Sequence, residues 1–373
     1  MTLSSTESPR IPDATRILTL SQSFEMRRGG SLQNVRVAYE TWGTLNAERD
    51  NAVLLFTGLS PSAHAASNAE DPAPGWWEYM IGPGKPLNTN HFFVVCVNSL
   101  GSCFGSTGPA SINPAIGKLF RLDFPELTVE DIATAGHEVQ RALGIERLRA
   151  VMGPSLGGMT ALTYAISFPH EVKNLVLIST AARATAFAIA IRSLQREIIR
   201  SDPAWEDGFY RPNRQPVTGL CLARKLGLIS YRSAQEWQQR FGHQEIAKRG
   251  GEPFGILYEI ESYLDYNARK FIGGFDANCY LYLSRTMDLF DAAAHGETLK
   301  AALNHVKVQR TLIIGVKSDL LFPLYQQQEL ADVLRGCGRE VQFVALESIN
   351  GHDSFLIDRE RFGSVVQTFC AKL

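Results

Sequence analysis

The motif Gly-Pro-Ser-Leu-Gly-Gly at residues 153–158 constrains this chain more than any other feature. It stands between a short apolar run at 148–152 and a segment of helical character at 159–167. Glycines placed two positions before and after Ser155 allow a sharp turn from strand to helix, which exposes the serine hydroxyl. A Gly-Ser-Gly turn is common in isolation, but the flanking strand, the helix and the extra Gly158 favour a nucleophilic serine.

Strand and helix signals alternate on both sides of the middle of the chain. Ala52–Phe56 and residues 92–97 are continuous apolar runs that fit buried parallel strands, whereas 35–41 alternates like a half-buried antiparallel strand. Together with helical spacing at 130–143, this pattern predicts a mostly parallel α/β sheet. Further strands are predicted at 175–179, 311–316 and 341–346.

The middle of the chain, from about residue 182 to 303, lacks this strand rhythm and predicts helices. They are expected at Ala186–Arg200, 217–228, Ala234–Phe241, 255–270 and 278–288. A helical insertion between two strands of such a sheet lies as a lid over the strand ends, where α/β sheets bind ligands. The predicted organisation is a flexible tail (1–15), a core (16–182 and 304–373) and a helical lid (183–303).

Two later residues complete a predicted catalytic triad with Ser155. Asp319 follows the predicted strand at 311–316, and His352 follows the one at 341–346. The order Ser, Asp, His and the GxSxG turn are those of the α/β-hydrolase fold, which we therefore expect. His352 would accept the serine proton while Asp319 fixes the imidazole tautomer. The alternative for His352 is a surface residue that caps a helix.

Two backbone N–H groups are predicted to form the oxyanion hole. One belongs to Leu156, which follows the nucleophile at the positive end of a helix. The other belongs to Leu59, in the loop after the strand Ala52–Phe56, where this fold supplies its second donor. An ordinary glycine turn at Gly58 is the alternative interpretation of that loop.

Composition argues against several other classes of protein. The formal net charge is −1 and no Lys/Arg stripe is present, so we expect no nucleic-acid or membrane partner. No run reaches the roughly 18 apolar residues of a membrane span, and the first residues lack the apolar core of a secretory signal, so we expect a cytoplasmic protein. The six cysteines form no CxxC pair, which favours buried reduced thiols over disulfides or a metal site.

Four long motifs resemble the homoserine O-acetyltransferase family of acyltransferases. They are GWWE (75–78), IGPGK (81–85), LGSCFGSTGP (100–109) and FDANCYLYL (275–283). The resemblance extends over about residues 35–369. It implies that Ser155 takes an acyl group from an acyl-CoA and passes it to an amino-acid hydroxyl that His352 deprotonates.

The same resemblance implies the substrate contacts and the assembly. Arg224 would bind the amino-acid carboxylate, because a guanidinium pairs with it bidentately. Asp353 would hold the ammonium group, and Tyr231 is a weaker candidate for the same pocket. We expect small-molecule substrates, no tightly bound cofactor and a homodimer formed through the lid helices. Aromatic stretches at 258–266 and 280–282 fit such an interface or a core equally well.

Two departures from the family pattern concern specificity. The family carries Thr-Gly-Ser-Ser-His after the early strand, whereas this chain has a longer loop that includes Ser60, Pro61, Ser62 and Ala63. That loop is expected to change, and to shrink, the acceptor pocket. Arg192 stands where the family usually has Asn, and a buried cation there requires an anion such as the carboxylate of a succinyl group. An exposed helix residue is the alternative for Arg192.

Both departures resemble the serine O-succinyltransferase branch, so we expect succinyl transfer from succinyl-CoA to L-serine, for cysteine synthesis. The alternatives are a homoserine O-acetyltransferase or O-succinyltransferase of methionine synthesis, an esterase or thioesterase, and a non-catalytic binding protein. The last would usually lack a triad member. Lys85 and Arg121 are candidates for CoA phosphates, with ordinary surface charge as the alternative.

Overall fold

The computed structural model describes residues 9–211, 213–247 and 252–373. An eight-stranded sheet forms its centre. The strands are β1 (Arg16–Thr19), β2 (Arg36–Trp42), β3 (Ala52–Phe56), β4 (Phe93–Val97), β5 (Ala150–Pro154), β6 (Asn174–Ile178), β7 (Arg310–Val316) and β8 (Glu340–Leu346). Their order is β1-β2-β4-β3-β5-β6-β7-β8. β2 pairs antiparallel with β1 and β4, and every other pair in the sheet is parallel.

Helices cover both faces of the sheet and fill the insertion. They are α1 (Val129–Ala142), α2 (Leu156–Ser167), α3 (Ala186–Arg200), α4 (Val217–Tyr231), α5 (Ala234–Phe241), α6 (Glu259–Phe271), α7 (Ala277–Leu289), α8 (Leu299–Asn304), α9 (Leu324–Gly336), α10 (Ser354–Ile357) and α11 (Arg359–Cys370). Short 3₁₀ turns lie at Arg121–Asp123, Pro203–Gly208, Ala292–His295 and Gly351–Asp353. Three two-residue ribbons pair Phe24–Glu25 with Ser31–Leu32, Ile81–Gly82 with Leu87–Asn88, and Ile112–Asn113 with Lys118–Leu119.

The continuous apolar runs arise because the central strands are buried on both sides. On β3, Leu54 and Phe56 enter one hydrophobic core while Val53 and Leu55 enter the other. The first core also contains residues of α1, α2 and α9, and the second contains residues of α11. This is the doubly covered sheet that the sequence predicted, and the fold class is confirmed.

The predicted strands and helices match the observed ones within a few residues. The strand predicted at 35–41 is antiparallel, as expected, and the helices predicted at Ala186–Arg200 and Ala234–Phe241 have those bounds. Between β6 and β7 the described residues contain helices and turns, with only isolated bridges at Arg183 and Glu245. The edge strand β1 was not predicted.

The region predicted to be an N-terminal tail lies partly outside the described residues. Its described part, residues 9–15, contacts the body of the protein. Ala14 is buried, the Thr15 hydroxyl donates to Glu40 at 2.9 Å, and the Asp13 N–H donates to Asp71 at 3.1 Å. These contacts lead directly into β1.

All six cysteines are free, and four of them are buried: Cys96, Cys221, Cys279 and Cys370. Cys103 and Cys337 are partly exposed. Among the described residues, no helix has the length and apolar character needed to cross a membrane.

Candidate active site

The turn between β5 and α2 places Ser155 in a strained backbone conformation, with φ 55° and ψ −123°. Two glycines make this turn possible. A Cβ on Gly153 would lie 2.2 Å from the Gly157 backbone, and a Cβ on Gly157 would lie 2.3 Å from the Phe56 carbonyl oxygen. Strain of this kind persists only where surrounding structure enforces it. Here the Ser155 N–H donates to the Ile178 carbonyl at 3.0 Å.

Ser155, His352 and Asp319 form a continuous hydrogen-bonded chain. Ser155 Oγ lies 2.9 Å from His352 Nε2, and His352 Nδ1 lies 2.7 Å from Asp319 Oδ2. The other carboxylate oxygen of Asp319 accepts the backbone N–H groups of Leu321 and Phe322, each at 2.9 Å. The carboxylate is thereby fixed, and it holds the imidazole with Nε2 toward the serine.

His352 belongs to the 3₁₀ turn Gly351–Asp353 and is buried beside two aromatic rings. Its ring stacks on Phe322 with centroids 5.0 Å apart and meets the edge of Phe355 at 5.7 Å. Burial opposes its protonation, but the charge and hydrogen bond of Asp319 outweigh burial and raise the pKa of His352 above 6.5. His352 is thus placed to act as a general base toward Ser155 at pH values above its pKa, where the ring is neutral.

The two N–H groups predicted as oxyanion donors are both free of acceptors among the described residues. Leu156 opens α2 directly after Ser155, and Leu59 lines the same cavity as the serine. Free N–H groups beside a nucleophile have the chemistry that stabilises a developing oxyanion.

The loop after β3 is anchored by several side chains. Asn98 Nδ2 donates to the Pro61 carbonyl at 3.2 Å, and Trp76 Nε1 donates to the Ser62 carbonyl at 3.1 Å. His64 has an acceptor at each ring nitrogen, Glu40 Oε2 at 2.9 Å and the Ala73 carbonyl at 2.8 Å. These anchors fix the chain that contains the Leu59 N–H.

Burial opposes protonation of the His64 ring. The Ala73 carbonyl and the Glu40 carboxylate outweigh it and raise the pKa of His64 above 6.5. Acceptors at both ring nitrogens favour the protonated ring, in which both nitrogens are donors.

A cavity of about 150 Å³ joins the core and the lid at this point. Nine of the residues predicted for the site line it: Leu59, Ser60, Pro61, Ser155, Arg192, Arg224, Tyr231, His352 and Asp353. Four others do not. Asp319 and Leu156 lie behind the lining, Ala63 is fully buried, and Ser62 accepts hydrogen bonds from Trp76 and His64 within the loop.

Arg192 is buried, so the interpretation of an exposed helix residue is wrong. Its Nε donates to Asp288 Oδ1 at 2.6 Å. A carboxylate of the protein therefore supplies one counter-charge to Arg192, where a substrate carboxylate alone was expected from the sequence. Its Nη2 is buried and has no partner among the described residues. The Nη2 group of this cavity-lining arginine is therefore a hydrogen-bond donor that lacks an acceptor.

Arg224 is the second cation with an unmet hydrogen bond in the lining. Its Nε is buried and unpartnered among the described residues, and its guanidinium lies over the rings of Phe271 at 4.6 Å and Tyr231 at 5.7 Å. Aromatic faces stabilise the cation without occupying its N–H groups. A carboxylate in the cavity would find Arg224 free to bind it.

Asp353 is held from one side. Its Oδ2 accepts Arg232 Nε at 3.0 Å, and Arg232 in turn bonds Glu236 at 2.6 Å. Burial raises the pKa of Asp353, against the opposing charges of Arg232, His352 and Arg224. Oδ1 accepts no hydrogen bond from the described residues, so it is available to a ligand.

Several lining residues were not predicted as site residues. Trp76 and Tyr280 lie inside motifs that had been singled out, which was a usable signal. Gly58 and Pro154 also line the cavity and lie within the predicted oxyanion loop and the serine motif. The others carry no such signal: Ile191, Gln195, Ser230, Met287, Leu321, Phe322, Phe355 and Leu356.

The two candidates for CoA phosphates lie elsewhere. Lys85 bonds the Glu78 carboxylate at 2.9 Å, and Arg121 is buried over the Tyr210 ring at 4.3 Å. Arg121 is therefore no solvated surface charge. Within the described parts of the chain, no three His, Cys, Asp or Glu side chains are grouped to hold a metal ion.

Comparison with known proteins is consistent with this geometry. Residues 51–357 match the family model of the α/β hydrolase fold. The chain is 54% identical to a serine O-succinyltransferase of Litchfieldella anticariensis over 97% of this chain and 99% of that protein, and 54% identical to one of Stenotrophomonas maltophilia over 96% and 98%. The crystal structure of homoserine O-acetyltransferase from Bacillus anthracis superimposes with a TM-score of 0.88 at 32% identity, covering 95% of this chain and 96% of that one.

Proposed function

Because the chain belongs to the α/β-hydrolase fold family and, within it, to the group of serine O-succinyltransferases, we propose that it transfers a succinyl group from succinyl-CoA to the hydroxyl of L-serine. The observation that carries the proposal is one cavity lined by a candidate nucleophile and two incompletely paired guanidinium groups. Succinyl transfer to serine brings two carboxylates into that cavity, one on each substrate. Acetyl transfer would bring only one.

In the first step, Ser155 Oγ attacks the thioester carbonyl and gives its proton to His352 Nε2. The oxyanion that forms is stabilised by the N–H groups of Leu59 and Leu156. The imidazolium, held by Asp319, then protonates the departing CoA thiolate. The products of this step are succinyl-Ser155 and free CoA.

In the second step, serine occupies the cavity and His352 removes the proton of its hydroxyl. The serine oxygen attacks the acyl-enzyme carbonyl, and His352 returns the proton to Ser155 Oγ as O-succinyl-L-serine leaves. Nucleophile and base are both side chains of this protein, so the route proceeds without a tightly bound cofactor. The two half-reactions make the kinetics ping-pong.

Each substrate has its own contacts in this scheme. Arg224 binds the serine carboxylate, and Asp353 Oδ1 accepts from the ammonium group. The Tyr231 ring lies 5.7 Å from the Arg224 guanidinium and 6.1 Å from the His352 ring, in the same pocket. Arg192 Nη2 donates to the succinyl carboxylate.

Ser60 and Pro61 limit the space for the acceptor, while Ser62 and Ala63 hold the loop from behind. One methylene separates serine from homoserine and is worth about 1–3 kcal/mol, so weak activity with homoserine is expected.

The cellular context is part of the proposal. The product is an activated serine ester whose succinate leaves on displacement by sulfide, which places the enzyme before cysteine formation, in the cytoplasm.

We also propose a homodimer formed through the lid. Apolar side chains exposed on its helices support this arrangement: Leu194, Leu222, Ile229 and Tyr266. Tyr280 and Tyr282 do not contribute to that surface, because one is buried and the other bonds the Phe124 carbonyl at 2.6 Å. Analytical ultracentrifugation tests the dimer directly.

The decisive assay combines succinyl-CoA or acetyl-CoA with L-serine or L-homoserine and follows CoA release and O-acylated product. The succinyl-CoA and serine pair is expected to have the highest kcat/KM. Preference for acetyl-CoA with homoserine would overturn the proposed donor and acceptor. CoA release that is indifferent to serine, without acylated product, would indicate a thioesterase.

Arg192→Asn tests the donor contact within the same assay. It is expected to weaken the preference for succinyl-CoA over acetyl-CoA by about 10- to 100-fold, the range for a hydrogen bond to a charged group. Arg200→Asn is the matched control, since Arg200 lies exposed at the end of the same helix and outside the cavity lining.

A further inference from the structure

A buried charge network connects two lid helices behind the cavity. Asp288 on α7 lies between two arginines of α3. Its Oδ1 accepts Arg192 Nε at 2.6 Å, and its Oδ2 lies 2.7 Å from Arg196 Nη2. Arg196 Nη1 also donates to Ser284 Oγ at 2.9 Å, one turn earlier on α7. Each carboxylate oxygen therefore lies within ion-pair distance of one guanidinium, although Oδ2 accepts no hydrogen bond from the described residues.

The network contains more positive than negative charge. Two cations share one anion, and the side chains of Asp288, Arg192 and Arg196 are only 4%, 7% and 11% exposed. Buried charge of one sign is costly unless a counter-charge meets it. Arg192 Nη2 is the N–H group of the network that has no partner among the described residues, and Arg192 lines the cavity, so an anion bound in the cavity would complete the network.

The position of Asp288 decides which edge of Arg192 is presented. A guanidinium offers carboxylates an edge that includes Nε and an end formed by the two Nη groups. Asp288 occupies Nε, so the Nη end is left for a ligand. An arginine side chain has about 2 kcal/mol of rotamer entropy, and a partner at Nε restricts it before the ligand arrives.

We propose that Asp288, supported by Arg196, is a positioning residue for donor selection, which orients Arg192 toward the terminal carboxylate of a dicarboxylic acyl group. This rests on the proposed function, and it assigns the selectivity to a three-residue unit instead of to Arg192 alone. Asp288 itself does not line the cavity, so it would act through Arg192.

The test compares donors in the Asp288→Asn variant, which keeps the side-chain shape and removes the charge. The kcat/KM for succinyl-CoA is expected to fall about 10- to 100-fold, mainly through KM, while kcat/KM for acetyl-CoA changes less than about threefold. Equal losses with both donors would overturn the proposal, because an ion pair that only joins α3 to α7 would affect both alike.

A double variant separates positioning from independent binding. If Asp288 acts through Arg192, then Arg192→Asn with Asp288→Asn has the same donor preference as Arg192→Asn alone. Losses that multiply would contradict this. Asp265→Asn is the matched control, since this lid carboxylate also lies between two cations, Lys225 at 2.9 Å and Arg269 at 2.5 Å, but outside the cavity lining.

A second variant keeps the proposal testable if Asp288→Asn does not fold. Arg196→Gln leaves Asp288 and Arg192 in place and removes the cation beside Oδ2, together with its bond to Ser284. It is expected to reduce the succinyl preference about three- to tenfold, and an unchanged preference would overturn the supporting role. A wild-type enzyme without succinyl preference would instead overturn the proposed function, and the role of Asp288 with it.

Discussion

The core side and the lid side of the cavity differ in how completely their polar groups are paired. On the core side, Ser155, His352 and Asp319 bond to one another, and the second oxygen of Asp319 is held by two backbone N–H groups. On the lid side, Arg192 Nη2 and Arg224 Nε are buried without partners in the part of the chain that the structure describes. The catalytic side chains of the core side are thus bonded to one another, whereas the two guanidinium groups of the lid side are only partly bonded.

This difference separates chemistry from recognition. A fully bonded triad is preorganised, so little reorganisation is needed when the reaction begins. Buried guanidinium N–H groups without partners cost free energy, which is recovered when substrate carboxylates accept their hydrogen bonds. A substrate that lacks the carboxylate leaves the cost in place, which makes the lid side the source of discrimination.

The largest effect is expected from the core side. Ser155→Ala removes the proposed nucleophile and should lower kcat about 10⁵-fold or more with either donor, as loss of a triad serine does. Intact-mass analysis after exposure to succinyl-CoA should detect no acyl-enzyme. Ser364→Ala, an exposed serine on α11, is the control and should retain full activity. Acylation that persists in Ser155→Ala would assign the nucleophile elsewhere.

An intermediate effect is expected on the lid side. Arg224→Ala removes the proposed partner of the serine carboxylate and should lower kcat/KM for serine about 100-fold, through KM. Arg224→Lys keeps the charge without the bidentate fork and should recover only part of the loss. Single-turnover acylation by succinyl-CoA without serine should be unchanged in both variants. Equal loss in both half-reactions would mean that Arg224 only supports the lid.

The smallest effect is expected from a change of pH, which should alter catalysis by the core side but not donor selection by the lid side. His352 accepts a proton only when neutral, and its pKa is raised above 6.5 because Asp319 outweighs burial. Below that pKa, kcat/KM should fall about tenfold per pH unit. The proposed donor contact does not involve His352, so the succinyl-to-acetyl ratio should stay flat. Measuring kcat/KM for each donor against pH, at saturating serine, checks both expectations. A midpoint of the kcat/KM profile below pH 6.5, or a succinyl-to-acetyl ratio of kcat/KM that changes with pH, would contradict them.

The sequence predicted the core side well because its signals are local. Ser155, Asp319 and His352 each follow an apolar strand within a few residues, and the chain order of the three is specific to the fold. Parallel strands bring their carboxyl ends to one edge, so predicting the strands also predicted the meeting point.

The lid side depends on pairings that local pattern does not encode. Asp288 meets Arg192 across 96 positions of the chain, through the packing of two helices. Nothing in the helical periodicity distinguished Asp288 from a solvated acid, just as nothing revealed that Arg121 is buried or that His64 meets Glu40. Arg192 was predicted to pair with a substrate anion, but in the structure its Nε already pairs with Asp288 of the protein.

The stack of Trp76 on Trp77 gives the site an optical reporter. The chain has five tryptophans, and Trp76 is the one that lines the cavity, with its ring 5.3 Å from that of Trp77 and nearly parallel to it. Indole emission depends on the polarity around the ring, so acyl donor entering the cavity is expected to change the emission of Trp76 and of Trp77 stacked on it. Stopped-flow fluorescence can then time each half-reaction separately, with the unlabelled enzyme as its own probe.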